Sequence, residues 1–299
     1  LSDKNKYYKV EDNVLFSKNG TDLIAFPSGD DRISYRIPNG VRTIKKEAFA
    51  SNQNLQDVLI PVSLTELEPW TFAGSHIQRL DLSHVKKAGR GTFEFCHNLK
   101  EIKLGRETVL NGGQFYENRS LKDISVEEGN PKLWSEDGVL YGRSGDDKTL
   151  VCYPSAKEEL SYAVSPGTNC IEDSAFHMCR LDQVFLPPSV QKISSSAFNY
   201  GNDGKAEKPI QIYLCGDRLE IEKAAFTDLA SGSVIYLKNQ ELKNQFDLGN
   251  QKNRYINQQD KESVIQVSGM EQQPAEDIIL DSESVSLDMG KDGRQVSRL

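Results

Sequence analysis

The sequence is poor in most of the residues from which reactive sites are built. Four histidines are spread over 299 residues. None stands in an H-E-x-x-H or facial-triad spacing, so a metal centre has no local support. His76 and His97 follow a recurring Phe by four residues, His177 follows one by a single residue, and His84 lies in a link. The five cysteines (Cys96, Cys152, Cys170, Cys179 and Cys215) form no C-x-x-C, and the nearest two are nine residues apart. Such an odd, scattered set is no disulfide framework and reads as buried thiols. G-x-S-x-G, Walker A and G-x-G-x-x-G motifs are all missing, which leaves covalent hydrolysis and nucleotide binding without a motif. No apolar run approaches the roughly 20 residues of a membrane-spanning helix. Positive charge is in deficit, with 36 Lys and Arg against 44 Asp and Glu and a net charge of −8. With no basic stripe interleaved with aromatics, nucleic acid is not expected as the main partner. Aromatics are few at 8%, and a hydrophobic content of 37% with a mean hydropathy of −0.55 is polar for a compact globule, though not low enough for disorder. An elongated chain with much surface has this composition. The first residues are Leu1-Ser2-Asp3, as expected of a chain whose leader has been removed or whose start has been trimmed, so the missing signal peptide says nothing about the compartment.

What is present is a repeat. Seven segments place an apolar residue five before a Phe: Ile44-KKEA-Phe49, Leu67-EPWT-Phe72, Ala88-GRGT-Phe93, Leu110-NGGQ-Phe115, Ile171-EDSA-Phe176, Ile193-SSSA-Phe198 and Ile221-EKAA-Phe226. The steps between these Phe residues are 23, 21, 22, 61, 22 and 28. After each Phe comes a block Leu-x-x-apolar-x-apolar, as in Leu55-QD-Val58-Leu59-Ile60, Ile77-QR-Leu80-Asp81-Leu82, Leu99-KE-Ile102-Lys103-Leu104, Leu121-KD-Ile124-Ser125-Val126 and Leu181-DQ-Val184-Phe185-Leu186. The last two coils keep only Ile212-Tyr213-Leu214 and Ile235-Tyr236-Leu237. Alternation over three positions predicts a short strand with one buried face. The Phe segment is too short for a full helix and reads as a turn or one to two helical turns. A single coil cannot bury its own apolar side, so stacked coils are expected to bury columns of Ile, Phe and Leu against each other.

A longer duplication lies over the short one. Residues 27–49 align without gaps on 154–176, an offset of 127, and DNVLFSK (12–18) matches DGVLYGR (137–143). Each copy reads as a β-hairpin. The second interrupts the repeat, which accounts for the step of 61 residues, and the first is expected to cap the stack. The expected organisation is a solenoid over 1–238, with a hairpin cap at 1–40 and a hairpin insert at 131–165. A polar linker and strand-like tail, or the start of a further β-domain, follows over 239–299. Alternation returns in DIILDSESVSLDMG (277–290).

The recurring I-x-x-x-A-F-x-x-C/N-x-x-L-x-x-I-x-L-P pattern resembles the BspA-like class of leucine-rich repeats. Ile60-Pro61-Val62-Ser63-Leu64 and Leu186-Pro187-Pro188-Ser189-Val190 match its P-x-S-V link, and Cys96 and Cys179 fall three after the Phe, where that class often has Cys. The resemblance covers about residues 30 to 238. Ala88, Gln114 and Gly112-Gly113 depart from it, and the Asn ladder of ordinary leucine-rich repeats is absent. The resemblance implies an α/β leucine-rich-repeat solenoid of short parallel strands plus turn or short-helix segments, with inserted β-hairpins. It also implies an exported bacterial protein of the cell surface or periplasm that binds other molecules instead of transforming them; some relatives are regarded as adhesins for host matrix proteins.

Candidate contacts follow from strand alternation, which points the residue between the two apolar strand positions outward. Stacked, these residues form one column: Leu59, Asp81, Lys103, Ser125, Phe185, Tyr213 and Tyr236. The expected ligand site centres on Phe185, Tyr213 and Tyr236 and is rimmed by Lys103 and Asp81, since exposed aromatics suit protein recognition or stacking on a sugar. Cross-strand stabilisation of the sheet and cover by the C-terminal tail are equally open for the aromatics. The adjoining column of Asp57, Arg79, Glu101, Asp123 and Gln183 is expected to give weak surface pairs. Asp30-Asp31 and Asp146-Asp147 read as solvated turn tips, and Trp70 and Trp134 as packed. The sequons at Asn19 and Asn118 matter only in a glycosylating pathway. The expected function is non-enzymatic protein binding, without cofactor or metal. Glycan capture and a structural spacer stand as alternatives.

Overall fold

The computed structural model describes residues 5–110, 113–199, 208–230, 232–244 and 246, and the backbone of 264–267. Three strands open the chain, β1 (Tyr8–Glu11), β2 (Val14–Ser17) and β3 (Asp22–Ala25), paired antiparallel. A first stack follows: β4 (Ser34–Arg36), β5 (Thr43–Ile44), β6 (Asp57–Leu59), β7 (Glu66–Leu67), β8 (Arg79–Leu82), β9 (Lys87–Ala88), β10 (Glu101–Leu104), β11 (Val109–Leu110) and β12 (Asp123–Val126). A second antiparallel trio is β13 (Leu133–Glu136), β14 (Val139–Ser144) and β15 (Asp147–Cys152). The second stack contains β16 (Ser161–Ala163), β17 (Thr168–Ile171), β18 (Gln183–Leu186), β19 (Lys192–Ile193), β20 (Gln211–Leu214), β21 (Glu220–Ile221), β22 (Val234–Leu237) and β23 (Val264–Val267).

Each coil thus carries a wide strand, mostly of three or four residues, and a narrow one, usually of two. The wide strands pair in parallel as β12-β10-β8-β6-β4 and β16-β18-β20-β22-β23. The narrow strands continue the trios, as β1-β2-β3-β5-β7-β9-β11 and β13-β14-β15-β17-β19-β21. In the wide sheets the repeat apolar residues fall in register, Leu80 beside Ile102 beside Ile124 and Val184 beside Ile212 beside Ile235. That register is the one that buries every inward side chain, because a slip of one residue would turn the whole set to solvent. The chain is a β-solenoid of stacked parallel strands.

The α/β expectation is corrected by the Phe segments, which are turns. Among the described residues, helix is confined to 240–244 and 246. Among the described residues, those two before and two after the repeat Phe residues adopt left-handed backbone. Examples are Glu47 (φ 59) and Ser51 (φ 57) around Phe49, and Ser174 (φ 58) and Met178 (φ 55) around Phe176. Their amides bond across to the neighbouring coil: Glu47 N–H to Pro69 O at 3.3 Å, Phe49 N–H to Thr71 O at 2.9 Å and Ser51 N–H to Ala73 O at 2.8 Å. An amide engaged with the next coil is not available to close a helical turn within its own coil. A left-handed residue other than Gly costs roughly 1–2 kcal/mol. Stacking of the coils offsets that cost through these bonds and through the rings between them, with Phe176 and Phe198 centroids 4.8 Å apart and Phe198 and Phe226 5.3 Å apart.

The second trio lies between two cores. Leu133, Leu140 and Cys152 pack with the first stack, while Val139, Tyr141 and Leu150 pack with the second. Alternate residues of a strand face opposite sides, so the uninterrupted apolar run Val139-Leu140-Tyr141 serves both. Both trios also carry the same irregularity, Leu15 opposite Ala25 and Leu140 opposite Cys152, each followed by a shift in register. In the N-terminal trio only one face is buried, through Val14, Phe16 and Leu23. At the other end β23 pairs in parallel with β22, adding a rung past residue 238 where the periodicity gives out. The strand-like stretch 277–290 lies outside the described residues.

Candidate interaction surface

The two wide sheets turn alternate side chains outward, and the two outer faces differ. On the first, one column runs Ser34, Asp57, Arg79, Glu101 and Asp123, and the next runs Arg36, Leu59, Asp81, Lys103 and Ser125. Beneath them Tyr35, Val58, Leu80, Ile102 and Ile124 are buried. Arg79 meets Glu101 at 3.2 Å on largely exposed side chains, and Lys103 meets Glu127 at 2.9 Å on partly exposed ones. Such pairs add little stability and leave their charges open to a partner. Burial would raise the Asp81 carboxyl, but the Ser83 hydroxyl and backbone N–H, with the Lys103 charge, outweigh it and hold the group below the usual carboxylate range. The hydrogen bond to Glu127 raises the Lys103 ammonium. Both residues are therefore charged at neutral pH and adjacent in register. Leu59, 44% exposed, lies beside them as an apolar contact.

The second face holds an aromatic stack. Ala163, Phe185, Tyr213 and Tyr236 share one column. The Phe185 and Tyr213 rings are 4.5 Å apart and 12° from parallel, and Tyr213 and Tyr236 are 4.6 Å apart and 9° from parallel. These separations are close to the spacing of neighbouring strands. Tyr213 is only 3% exposed and Tyr236 9%, whereas Phe185 is half-buried. Of the three rings named from the sequence, Phe185 therefore has the most surface to offer, and the two tyrosines support it from one side. Burial pushes the Tyr213 phenol up to about 12; its hydroxyl donates to Gln211 Oε1 at 2.9 Å, and Gln183 Nε2 donates to the same oxygen at 3.0 Å. The structure brings the aromatics together but sets them apart from Asp81 and Lys103, which lie in the other wide sheet.

Other sequence candidates fall into place around these faces. Asp30 is not a solvated tip: Arg32 grips its carboxylate through Nε and a terminal nitrogen, each at 2.7 Å, and that hydrogen bonding lowers it. Asp146 and Asp147 are exposed. Trp134 stacks on Tyr141 at 6.0 Å and donates to Glu136 Oε1 at 2.7 Å. Cys96, Cys152 and Cys179 are buried, Cys170 and Cys215 half-buried, and burial pushes the Cys96 thiol up to about 12. Among the described residues no cluster of three His, Cys, Asp or Glu has metal-holding geometry, and no helix is long and apolar enough to cross a membrane.

A cluster the sequence did not signal joins the two stacks. The His177 ring stacks on Tyr116 at 4.2 Å, with Nε2 3.4 Å from Glu117 Oε1, and Arg119 binds Glu117 at 2.9 Å. His97 Nδ1 lies 2.8 Å from the Glu117 carbonyl oxygen. Burial depresses the His177 imidazole below the ordinary 6.5, against the opposing pull of Glu117. Below about pH 6.5 the unfolded chain holds a proton that the native state does not, so this contribution is complete above that pH and lost as pH falls toward the depressed value. Thermal melts should show His177→Phe, which keeps the stack on Tyr116, losing less stability than the parent between pH 7 and 5. Equal losses would assign the acid sensitivity elsewhere.

The repeat in this geometry decides the family. The BspA type leucine rich repeat region matches six copies over residues 25–136 and 157–240, more than half of the chain. The chain belongs to the BspA-type leucine-rich-repeat family. The interruption of the match, at 137–156, coincides with β14 and β15. Among solved structures, two are similar to this chain in fold. A leucine-rich repeat protein from Eubacterium ventriosum has a TM-score of 0.61 at 15% identity, over 78% of this chain and 72% of that one. The pneumococcal vaccine antigen PcpA has a TM-score of 0.51 at 16% identity, over 89% of this chain and 100% of that one. No curated protein matches the sequence.

Proposed function

We propose that the protein is a non-catalytic interaction module, displayed outside a bacterial cell, that binds a protein ligand on the outer faces of its wide sheets. The observation that carries this is the register. Five rungs of the first sheet hold Leu59, Asp81 and Lys103 outward over a buried Tyr35-Val58-Leu80-Ile102-Ile124 floor. Side chains fixed on stacked strands lose little freedom on binding, which lowers the ordering cost of association. Phe185 supplies the accessible ring of the second face, with Tyr213 and Tyr236 stacked behind it as positioning residues. The family, and a shared fold with a vaccine antigen, support a place on the cell surface.

The test is a binding screen against matrix proteins with a glycan array in parallel, followed by two variants, Lys103→Glu and Phe185→Ala. A protein ligand should be found, and each variant should weaken it by about tenfold or more, the loss typical of a central interface contact, with an unchanged melting temperature. Capture of glycans alone, or wild-type protein binding by both variants, would overturn the reading.

A further inference from the structure

The two trios are copies of one unit, yet the face that the second buries is bare on the first. In the second, Leu133, Leu140 and Cys152 are 8%, 0% and 6% exposed against the first stack. Register equates Leu133 with Tyr8, Leu140 with Leu15 and Cys152 with Ala25. Tyr8 is 42% exposed, its outward neighbour Val10 49%, Leu15 half-buried and Ala25 exposed. Among the described residues the free edge of this face is β1, the terminal strand of its sheet. Lys18 N–H bonds to Tyr7 O at 2.7 Å, so by antiparallel alternation the N–H and C=O of Tyr8 and Val10 point away from β2. Tyr8 N–H is taken by Asn5 Oδ1 at 2.8 Å, which leaves Val10 at the centre of an open edge. Unpaired edges of this kind template strand addition.

We propose that β1 pairs antiparallel with the β1 strand of a second copy of this chain, about a twofold axis at Val10. Two observations select that partner. Val10 opposite the partner's Val10 exchanges both backbone hydrogen bonds and brings the two apolar faces edge to edge. The same register sets Lys9 opposite the partner's Glu11 at both ends, an opposite-charge pair of the kind that favours strand pairing; within one chain Lys9 and Glu11 already lie 2.8 Å apart. The contact is isologous, which closes as a dimer and does not propagate.

Sedimentation velocity of the full chain without ligand tests this, independently of the binding function. The weight-average mass should rise across the micromolar range toward twice the protomer mass. Lys9→Glu, which opposes carboxylates at both ends, should raise the dissociation constant about tenfold. The double swap Lys9→Glu with Glu11→Lys should restore it, and Val10→Pro, which removes the central donor, should abolish association. Unchanged melting temperatures would show that the fold is intact in each variant. A parent that stays monomeric throughout, a Lys9→Glu variant that associates like the parent, or a double swap that fails to rescue would each overturn the proposed pairing.

Discussion

Phe198→Ala should destabilise the second stack by about 3–5 kcal/mol, the usual range for emptying a buried phenylalanine site. Phe198 is wholly buried, 4.8 Å from Phe176 and 5.3 Å from Phe226. The truncation leaves both neighbouring rings facing a void. The coils cannot close over it, since Ser196 N–H to Ala224 O at 3.1 Å and Phe198 N–H to Ala225 O at 2.8 Å fix their separation at that turn. Stacked coils depend on their nearest neighbours, so the second stack should melt ahead of the first, giving two transitions in circular dichroism during urea unfolding. A single transition with an unchanged midpoint would show that the Phe column is not what holds the coils together.

Gly105→Ala should be nearly as damaging, although it adds one methyl group. A Cβ at this buried position would overlap the carbonyl oxygen of Ser83 in the coil below. That carbonyl belongs to backbone and cannot swing aside, so the two coils must part. Parting them strains a buried chain of hydrogen bonds, Gly105 N–H to Thr108 Oγ1 at 2.9 Å and Thr108 Oγ1 to Val85 O at 2.6 Å. A loss at the upper end of the about 1–3 kcal/mol for overpacking is expected, read as a lowered urea midpoint. Gly29→Ala is the control, because nothing lies within 4 Å of its Cβ position; equal effects of the two would refute the close approach of coils at Gly105.

The wide strands and the repeat Phe residues were legible because spacing alone identifies side chains that must share a face. The duplication was legible because Pro27–Phe49 and Pro154–Phe176 kept their length. The left-handed turns were not. Glu47, Trp70, Ser174, Met178 and Ala224 adopt the same conformation without sharing a residue type, so bonds from the next coil impose it where local preference would not. The strand β23 was missed although Val264-Ile265-Gln266-Val267 carries the same pattern, because the long polar stretch before it broke the period. Among the candidate contacts, register sets Asp81 beside Lys103 and Phe185 beside Tyr213 and Tyr236, but exposure depends on packing that alternation does not report: rings stacked at the strand spacing cover one another, and Tyr213 ends at 3% exposure.

The amino-acid order by itself determined which side chains face inward and that one coil requires the next, since periodic apolar residues on a short strand have no other place to be buried. Tertiary structure decided the hand of the turns, the two-sided packing of Val139-Leu140-Tyr141, and the separation of Asp81 and Lys103 from the aromatic stack into different sheets. Those outcomes depend on contacts between coils distant in sequence, where backbone hydrogen bonds and packing on both faces override the preferences of any single segment.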